Sequence, residues 1–243
     1  MKKTITTLGI LSAMAMSTHA SILFTEDFSY ADGSLSSNAA WDTHSGTAGQ
    51  IQVSGGVITV TDSQTEDVNR LFGSTITSGS VYAAFDFSVT SSSAGGTDFE
   101  YFAHFGTGTS NFNSRMEISA ANASGDYTVG VSHASSTDAT WASDLTFGTT
   151  YKAVLGYDRD TGTATLWLDP ANIGSTSIAT STTNSTDVTT FYLRESGSSI
   201  NETTSIDNLF VGTAFTDVVP VPEPSSTALL GLGGLALIMR RRK

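Results

Sequence analysis

The sequence predicts an all-β protein whose body is a single antiparallel β-sandwich, and three observations carry that expectation. Apolar and polar residues alternate along many short runs, most plainly from Val81 to Val89. There Val81, Ala83, Phe85, Phe87 and Val89 share one face and Tyr82, Ala84, Asp86 and Ser88 the other, the period of two that marks a strand with one buried side. The connections between runs are rich in Ser, Thr and Gly, and the 243 residues hold only 4 prolines. No stretch sustains a helical period over three turns.

The chain opens with Met1-Lys2-Lys3, an apolar run from Ile5 to Met16, and Thr18-His19-Ala20. A basic start, an apolar stretch of about a dozen residues and small residues before a cut after Ala20 make residues 1–20 a signal peptide, too short for a good membrane-spanning helix. The body, residues 21–217, then begins with a strand at Ile22–Phe28. Gly55-Gly56 turns a hairpin between Ile51–Val53 and Val57–Thr61. After Val81–Val89 come strands at Phe99–Phe105, Arg115–Ala120, Tyr127–His133 and Tyr151–Tyr157. Thr163–Leu168 pairs back on the last of these across Asp160-Thr161-Gly162, and Val188–Arg194 and Ser205–Val211 complete the set. Ten or more short strands joined in this way build a sandwich or barrel. Two connections, Ser91–Thr97 and Ser175–Asp187, are rich in Ser and Thr and are expected to be exposed and mobile.

Composition narrows the chemistry. There are no cysteines, which removes thiolate nucleophiles, thiolate zinc sites and iron–sulfur clusters. Five of the 11 basic residues and 22 of the 23 acidic ones fall within 21–217, so the body carries a net charge of −17. Such a surface repels nucleic acid and anionic lipid. It suits a soluble extracellular protein or one that binds cations.

After Asp217 the composition changes. Residues 218–224 form a spacer in which Val219-Pro220-Val221-Pro222-Glu223-Pro224 holds three prolines; residues 225–243 are an apolar helix that ends in Arg240, Arg241, Arg242 and Lys243. As a helix, Ser225 to Met239 spans roughly 22 Å, short of a hydrocarbon core of about 30 Å. The terminal cations stop transfer and stay cytoplasmic. A short apolar helix between Pro222-Glu223-Pro224 and a basic end resembles the PEP-CTERM sorting signal of Gram-negative bacteria. That resemblance implies that Pro222, Glu223 and Pro224 are recognised by exosortase, a membrane-embedded cysteine protease. It further implies transient inner-membrane insertion, delivery to the envelope, surface or matrix, and an association with exopolysaccharide and biofilm.

The body is similar, less specifically, to concanavalin A-like (LamG-like) jelly rolls. The cues are Glu26-Asp27-Phe28 with Asp32-Gly33, the Tyr157–Pro170 hairpin, and Ile206-Asp207-Asn208-Leu209 near the end. In that fold the acidic first strand and the late Asp-Asn are usually structural.

Candidate sites follow from residue type and spacing. On a regular strand Asp98, Glu100 and His104 share one face and could act as acid, base or metal ligand, with the two carboxyls near the separation of retaining glycosidases. Jelly-roll glucanases carry three alternating carboxylates, and the third is missing here. Arg115-Met116-Glu117, Ser132-His133 and Tyr151-Lys152 echo the order of groups in jelly-roll polysaccharide lyases, with Ser132 where those enzymes have Gln and with shorter intervals. Calcium is the one cofactor the acids could take, at Asp158 and Asp160 or at Asp62 with Glu66 and Asp67, although neither set has a twelve-residue loop. Trp41 and Trp141, in polar connections, are the candidates for stacking on a sugar ring, and packing over a sandwich edge is their structural alternative.

Taken together the residues point to a non-enzymatic, exported surface or matrix protein that could bind glycans. The alternative is a secreted glycan-active hydrolase or lyase on the same fold. Ice contact would call for a regular threonine ladder, and none occurs.

Overall fold

The computed structural model describes residues 21–219, apart from 96–97, 109–110, 134–136 and 195–199. The signal peptide expected at 1–20 and the tail, with Pro222, Glu223, Pro224 and Arg240 to Lys243, lie outside the described residues.

The body is two antiparallel sheets facing each other across one core. In chain order the strands are β1 (Ile22–Glu26), β2 (Gly33–Ser34), β3 (Asp42–Ser45), β4 (Gln52–Ser54), β5 (Val57–Thr61), β6 (Asp67–Ile76), β7 (Ser80–Ser91) and β8 (Phe99–Thr107). They continue with β9 (Asn111–Ser119), β10 (Thr128–Ser132), β11 (Ala139–Thr140), β12 (Tyr151–Asp158), β13 (Thr163–Leu168), β14 (Ser177–Ala179), β15 (Val188–Leu193) and β16 (Thr203–Gly212), followed by a one-turn helix α1 (Phe215–Val218). Among the described residues a nine-stranded sheet runs β14-β13-β12-β7-β16-β5-β4-β2 with β1 also on β16, and a seven-stranded sheet runs β11-β10-β9-β8-β15-β6-β3. The chain passes repeatedly from one sheet to the other, so each sheet is assembled from strands distant in sequence, as in a jelly roll. β1 and β5 share one edge of β16, pairing with Leu209–Gly212 and with Thr203–Ile206 respectively.

The core lies where the alternation places it. Val81, Ala83, Phe85, Phe87 and Val89 of β7 are buried against Phe102, Phe105 and Phe191 of the facing sheet, with ring centroids about 6 Å apart. Burying side chains of this size contributes about 1.5–3 kcal/mol each.

The longest strand that alternation fails to reveal is β6. Gly73 takes φ of +77°, and the register against β15 shifts between Val188 and Thr190, so Leu71 is left exposed while Phe72 and Ile76 are buried. A bulge adds a residue and breaks the period that identifies a strand. The connection Ser175–Asp187 also departs from expectation. It contains β14, it buries Thr180, and Asp138 fastens it by accepting bonds from Ser181 Oγ (2.5 Å), Thr182 N (2.9 Å) and Thr182 Oγ1 (2.6 Å).

The two ends of the body meet. Thr213 N donates to Ser21 O at 3.0 Å, and Ile22 is opposite Gly212 across the β1–β16 pair. Ser21 and Thr213 are therefore side by side at one end of the body. From there α1 folds over the outer face of the nine-stranded sheet, where Phe215, Val218 and Val219 pack on Ala84, Val154 and Trp167 in a second apolar cluster. The packed body continues to Val219, with Asp217 inside the helix.

Candidate functional site

The outer face of the seven-stranded sheet gathers the chemistry that the strands expose on this side. A bulge in β8 decides its membership. Glu100 is opposite Ile118 and Tyr101 opposite Glu117, but the next partner, Met116, faces Ala103. The extra residue lets Phe102 and Ala103 both face the core, and it shifts the phase of the strand by one. Tyr101 and His104, three apart, consequently share the outer face, with ring centroids 5.5 Å apart.

Tyr101 is the centre of this face. Its ring is held between two guanidinium groups, Arg115 at 4.3 Å and Arg194 at 4.1 Å from the centroid. Such contacts are worth about 0.5–1 kcal/mol each at accessible sites and more when desolvated. Phe112 continues the aromatic surface, 5.3 Å from Arg115. Arg194 is fixed from below, Nη1 donating to Glu100 Oε1 at 2.5 Å with Asp67 3.8 Å from its Nε. Two of the body's five cations therefore converge on one half-buried ring in a protein that is otherwise strongly acidic.

Beneath them His104 is fully buried and stacks on Tyr192, centroids 4.6 Å apart and planes within 2°. Burial first, then the charges of Arg115, Arg194 and His44, hold its pKa well below the ordinary value. The imidazole is neutral and acts as packing. Glu117, opposite Tyr101, is also buried and takes a short bond from Ser132 Oγ. Burial pushes its carboxyl pKa up, against the pull of the bonds from Ser132 and Thr137 and of Arg115.

The sequence candidates are distributed differently from expectation. Asp98, Glu100 and His104 do not share a face: Asp98 is exposed in the connection before β8, Glu100 is on the inner side, and His104 is outside, because of the bulge. The lyase-like order is split between the sheets. Arg115 and Glu117 lie on the seven-stranded sheet, whereas Lys152 belongs to the nine-stranded one and donates Nζ to Asp86 Oδ1 at 2.6 Å.

Trp41 is not available to a sugar. It is 1% exposed, stacks on Phe28, and donates Nε1–H to Glu26 Oε2 at 3.1 Å. Glu26 also accepts from Phe28 N, Tyr30 Oη and Arg70 Nη1, so this acid of the first strand ties an internal corner together. Trp141 is half-buried against the core edge.

The turn acids are engaged as well. Asp158 Oδ1 accepts from Asp160 N and Thr161 N, both at 2.9 Å, and Asp160 Oδ2 accepts from Gly79 N at 3.0 Å, which makes them the frame of the β12–β13 turn. Glu66 is fully buried and accepts five bonds, from Ser36, Thr43, Gly49, Gln50 and Ile51. That leaves no lone pair directed at an ion.

Sequence reasoning did not single out Tyr101, Phe112 and Arg194. A usable signal was present: in a body with five cations, Arg115 and Arg194 each lie in or beside an aromatic-rich strand. Their convergence on Tyr101 depends on the β8–β9 and β8–β15 pairings.

Comparison with known proteins defines the class first. Residues 220–243 match the family described as the PEP-CTERM protein-sorting motif. The motif marks an exported protein that is processed by exosortase, a membrane protein, and sorted to the cell envelope. No curated protein matches the chain. Among solved structures it is similar to basic winged bean lectin with Tn-antigen (12% identity, TM-score 0.49, 78% of this chain and 96% of that one). It is also similar to the carbohydrate recognition domain of Emp47p (11%, TM-score 0.49, 82% and 99%) and to the family 7 alginate lyase AlgAT5 (12%, TM-score 0.45, 72% and 77%). Binding proteins and an enzyme stand at the same distance, so these likenesses carry no argument about what this chain does.

Proposed function

We propose that this protein is a non-enzymatic component of the cell surface or extracellular matrix that binds glycans on the outer face of its seven-stranded sheet. The observation that carries the reading is the Arg115–Tyr101–Arg194 stack with Phe112 beside it. With Tyr101 engaged by the two guanidinium groups, Phe112 is the ring left for the apolar face of a pyranose to stack on, and the guanidinium groups that Tyr101 positions donate to sugar oxygens in fixed geometry. An exopolysaccharide whose hydroxyl oxygens accept from the guanidinium groups is the ligand class that uses both, and the body's net charge of −17 favours neutral over acidic sugars.

Two further features support it. The last described turn, α1, packs on the nine-stranded sheet, on the opposite side of the sandwich from the aromatic face. The acid–base candidates on this layer are structural groups, His104 as a neutral buried ring and Glu100 as the partner of Arg194.

The test is binding of the purified protein to a panel of neutral and acidic bacterial polysaccharides. Tyr101→Ala removes the ring and is expected to weaken binding by about tenfold to a hundredfold, a loss of roughly 1–3 kcal/mol, with the unfolding midpoint recorded in parallel. Binding unchanged in Tyr101→Ala would refute the site. Turnover of any polysaccharide that is abolished by Glu100→Gln would replace the binding reading with the hydrolase or lyase alternative.

A further inference from the structure

We propose a calcium site between the two sheets at the end where β16 begins, with Asp62, Glu202 and Thr204 as its protein ligands. The three are neighbours by strand pairing. Asp62 N donates to Glu202 O at 3.1 Å, and Thr204 is opposite Val60 in the β5–β16 register. Val60 belongs to the core. Residues two apart on paired strands share a face, so Asp62, Glu202 and Thr204 are all directed inward from the nine-stranded sheet. Glu100, on the inner side of β8, approaches from the facing sheet closely enough for its charge to act on Glu202.

What singles this place out is the state of its oxygens. Glu202 is 1% exposed and neither carboxylate oxygen has a hydrogen-bond partner; Asp62 Oδ1 and Thr204 Oγ1, also buried, lack partners too. Of the other deeply buried carboxylates, Glu117 keeps a bond from Ser132 on one oxygen only, so Glu202 alone has both oxygens unpartnered among the described residues, and two others are treated very differently. Glu66 takes five donors and Glu26 takes four. A buried carboxylate with no donor and no cation is among the most unfavourable groups a core can hold. Arg194, the nearest guanidinium, is already bonded to Glu100.

The missing partner has a definite chemistry. Every group is a hard oxygen donor; without a cation, burial pushes the Glu202 carboxyl pKa up to about 7, and a divalent ion would balance the two negative charges of Asp62 and Glu202 once both are ionised. Calcium accepts six to eight oxygens in flexible geometry and tolerates water and hydroxyl in its shell, whereas magnesium demands a near-ideal octahedron. Among the described residues no three His, Asp or Glu side chains surround a common metal position. The proposed set needs only two carboxylates, with Thr204 and water completing it. It is separate from the turn acids Asp158 and Asp160, which are committed to backbone groups.

The experiment is calorimetric titration of calcium chloride into the chelator-treated, purified protein, with thermal unfolding of the same samples. The expected result is one equivalent bound and an unfolding midpoint raised by about 5–10 °C at a hundredfold excess of calcium over its dissociation constant. Glu202→Gln keeps the shape and removes the buried charge. It is expected to bind no calcium and to unfold, without calcium, at a higher temperature than the metal-free parent. Asp62→Asn provides the second variant and is also expected to lose the ion, while Asp158→Asn keeps it. No uptake by the parent protein, or uptake retained in both Glu202→Gln and Asp62→Asn, would overturn the site.

Discussion

Glu66 offers the sharpest test of how the body is held together. Its carboxylate is fully buried and accepts from Gln50 N and Ile51 N at 2.7 Å, Gly49 N at 3.0 Å, Ser36 Oγ at 2.8 Å and Thr43 Oγ1 at 2.5 Å. One side chain thereby satisfies three successive amides in the connection before β4 and links them to β3 and the turn at Ser36. Glu66→Ala removes every one of these acceptors. The two hydroxyls can rotate to other acceptors or to water that enters the space left behind. The amides cannot turn, and an unsatisfied buried donor costs about 1–3 kcal/mol. With Ile51 N buried and the other two amides partly so, the expected destabilisation is about 3–5 kcal/mol, a large share of the 5–15 kcal/mol typical of a domain.

Urea unfolding followed by tryptophan fluorescence measures that difference, as a lower midpoint at unchanged slope. A loss below about 1 kcal/mol would refute the assignment of Glu66 as the acceptor of this loop. Burial opposes the charge of Glu66, but the bonds from Thr43, Ile51, Ser36 and Gly49 outweigh it and hold the pKa below its ordinary value. A depressed folded-state pKa contributes stability that is present above the unfolded value, about 4.3, and is lost as pH falls through the folded one. Glu66→Gln should therefore flatten the acid limb of the stability profile.

Three other outcomes follow from the same structure. Trp41→Phe removes the bond to Glu26 and part of a buried ring, so it should cost about 1–2 kcal/mol in unfolding free energy and leave glycan binding unchanged, whereas a binding loss would return Trp41 to the ligand site. Asp138→Asn weakens the clasp on Ser181 and Thr182, with an expected loss of about 1 kcal/mol and faster amide exchange at Thr182. Burial would raise the Asp138 pKa, but those bonds bring it to about 2, so this stability is present above about 3.9 and disappears as pH falls toward 2; acid unfolding identical in Asp138→Asn would contradict the clasp. Tyr101→Ala should lose polysaccharide binding and about 1–2 kcal/mol of stability, because its ring carries two guanidinium contacts, and it should remain folded at the temperature of the binding assay.

Much of the fold was legible because a half-buried strand writes its geometry into the sequence with period two. β7, β12, β13 and β16 overlap their expected spans for this reason. The sorting tail was legible for a different reason: the motif matched over residues 220–243 is a short linear pattern, Pro222, Glu223 and Pro224 followed by an apolar run and four cations, which the sequence alone displays. β6 was not legible. Leu71 and Phe72 stand side by side and Gly73 adopts a left-handed backbone, so no alternation survives there. The short strands β2, β3, β11 and β14 have two to four residues each, too few to display a period at all.

The sites divide along the same line. Composition by itself established an acidic, cysteine-free body and left few cations to account for. Which side chains meet was decided by events a linear pattern does not record. The bulge at Tyr101–Ala103 separated Glu100 from His104, and the β8 pairings brought Arg115 and Arg194 onto the Tyr101 ring. Burial sorted the acids and tryptophans, sending Trp41 and Glu66 into the interior as structural groups and leaving Glu202 there without a partner. Periodicity is a local property of the backbone and survives in one dimension. Register, bulges and the choice of buried partner are set by contacts between strands that may be a hundred residues apart, and only the assembled sandwich fixes them.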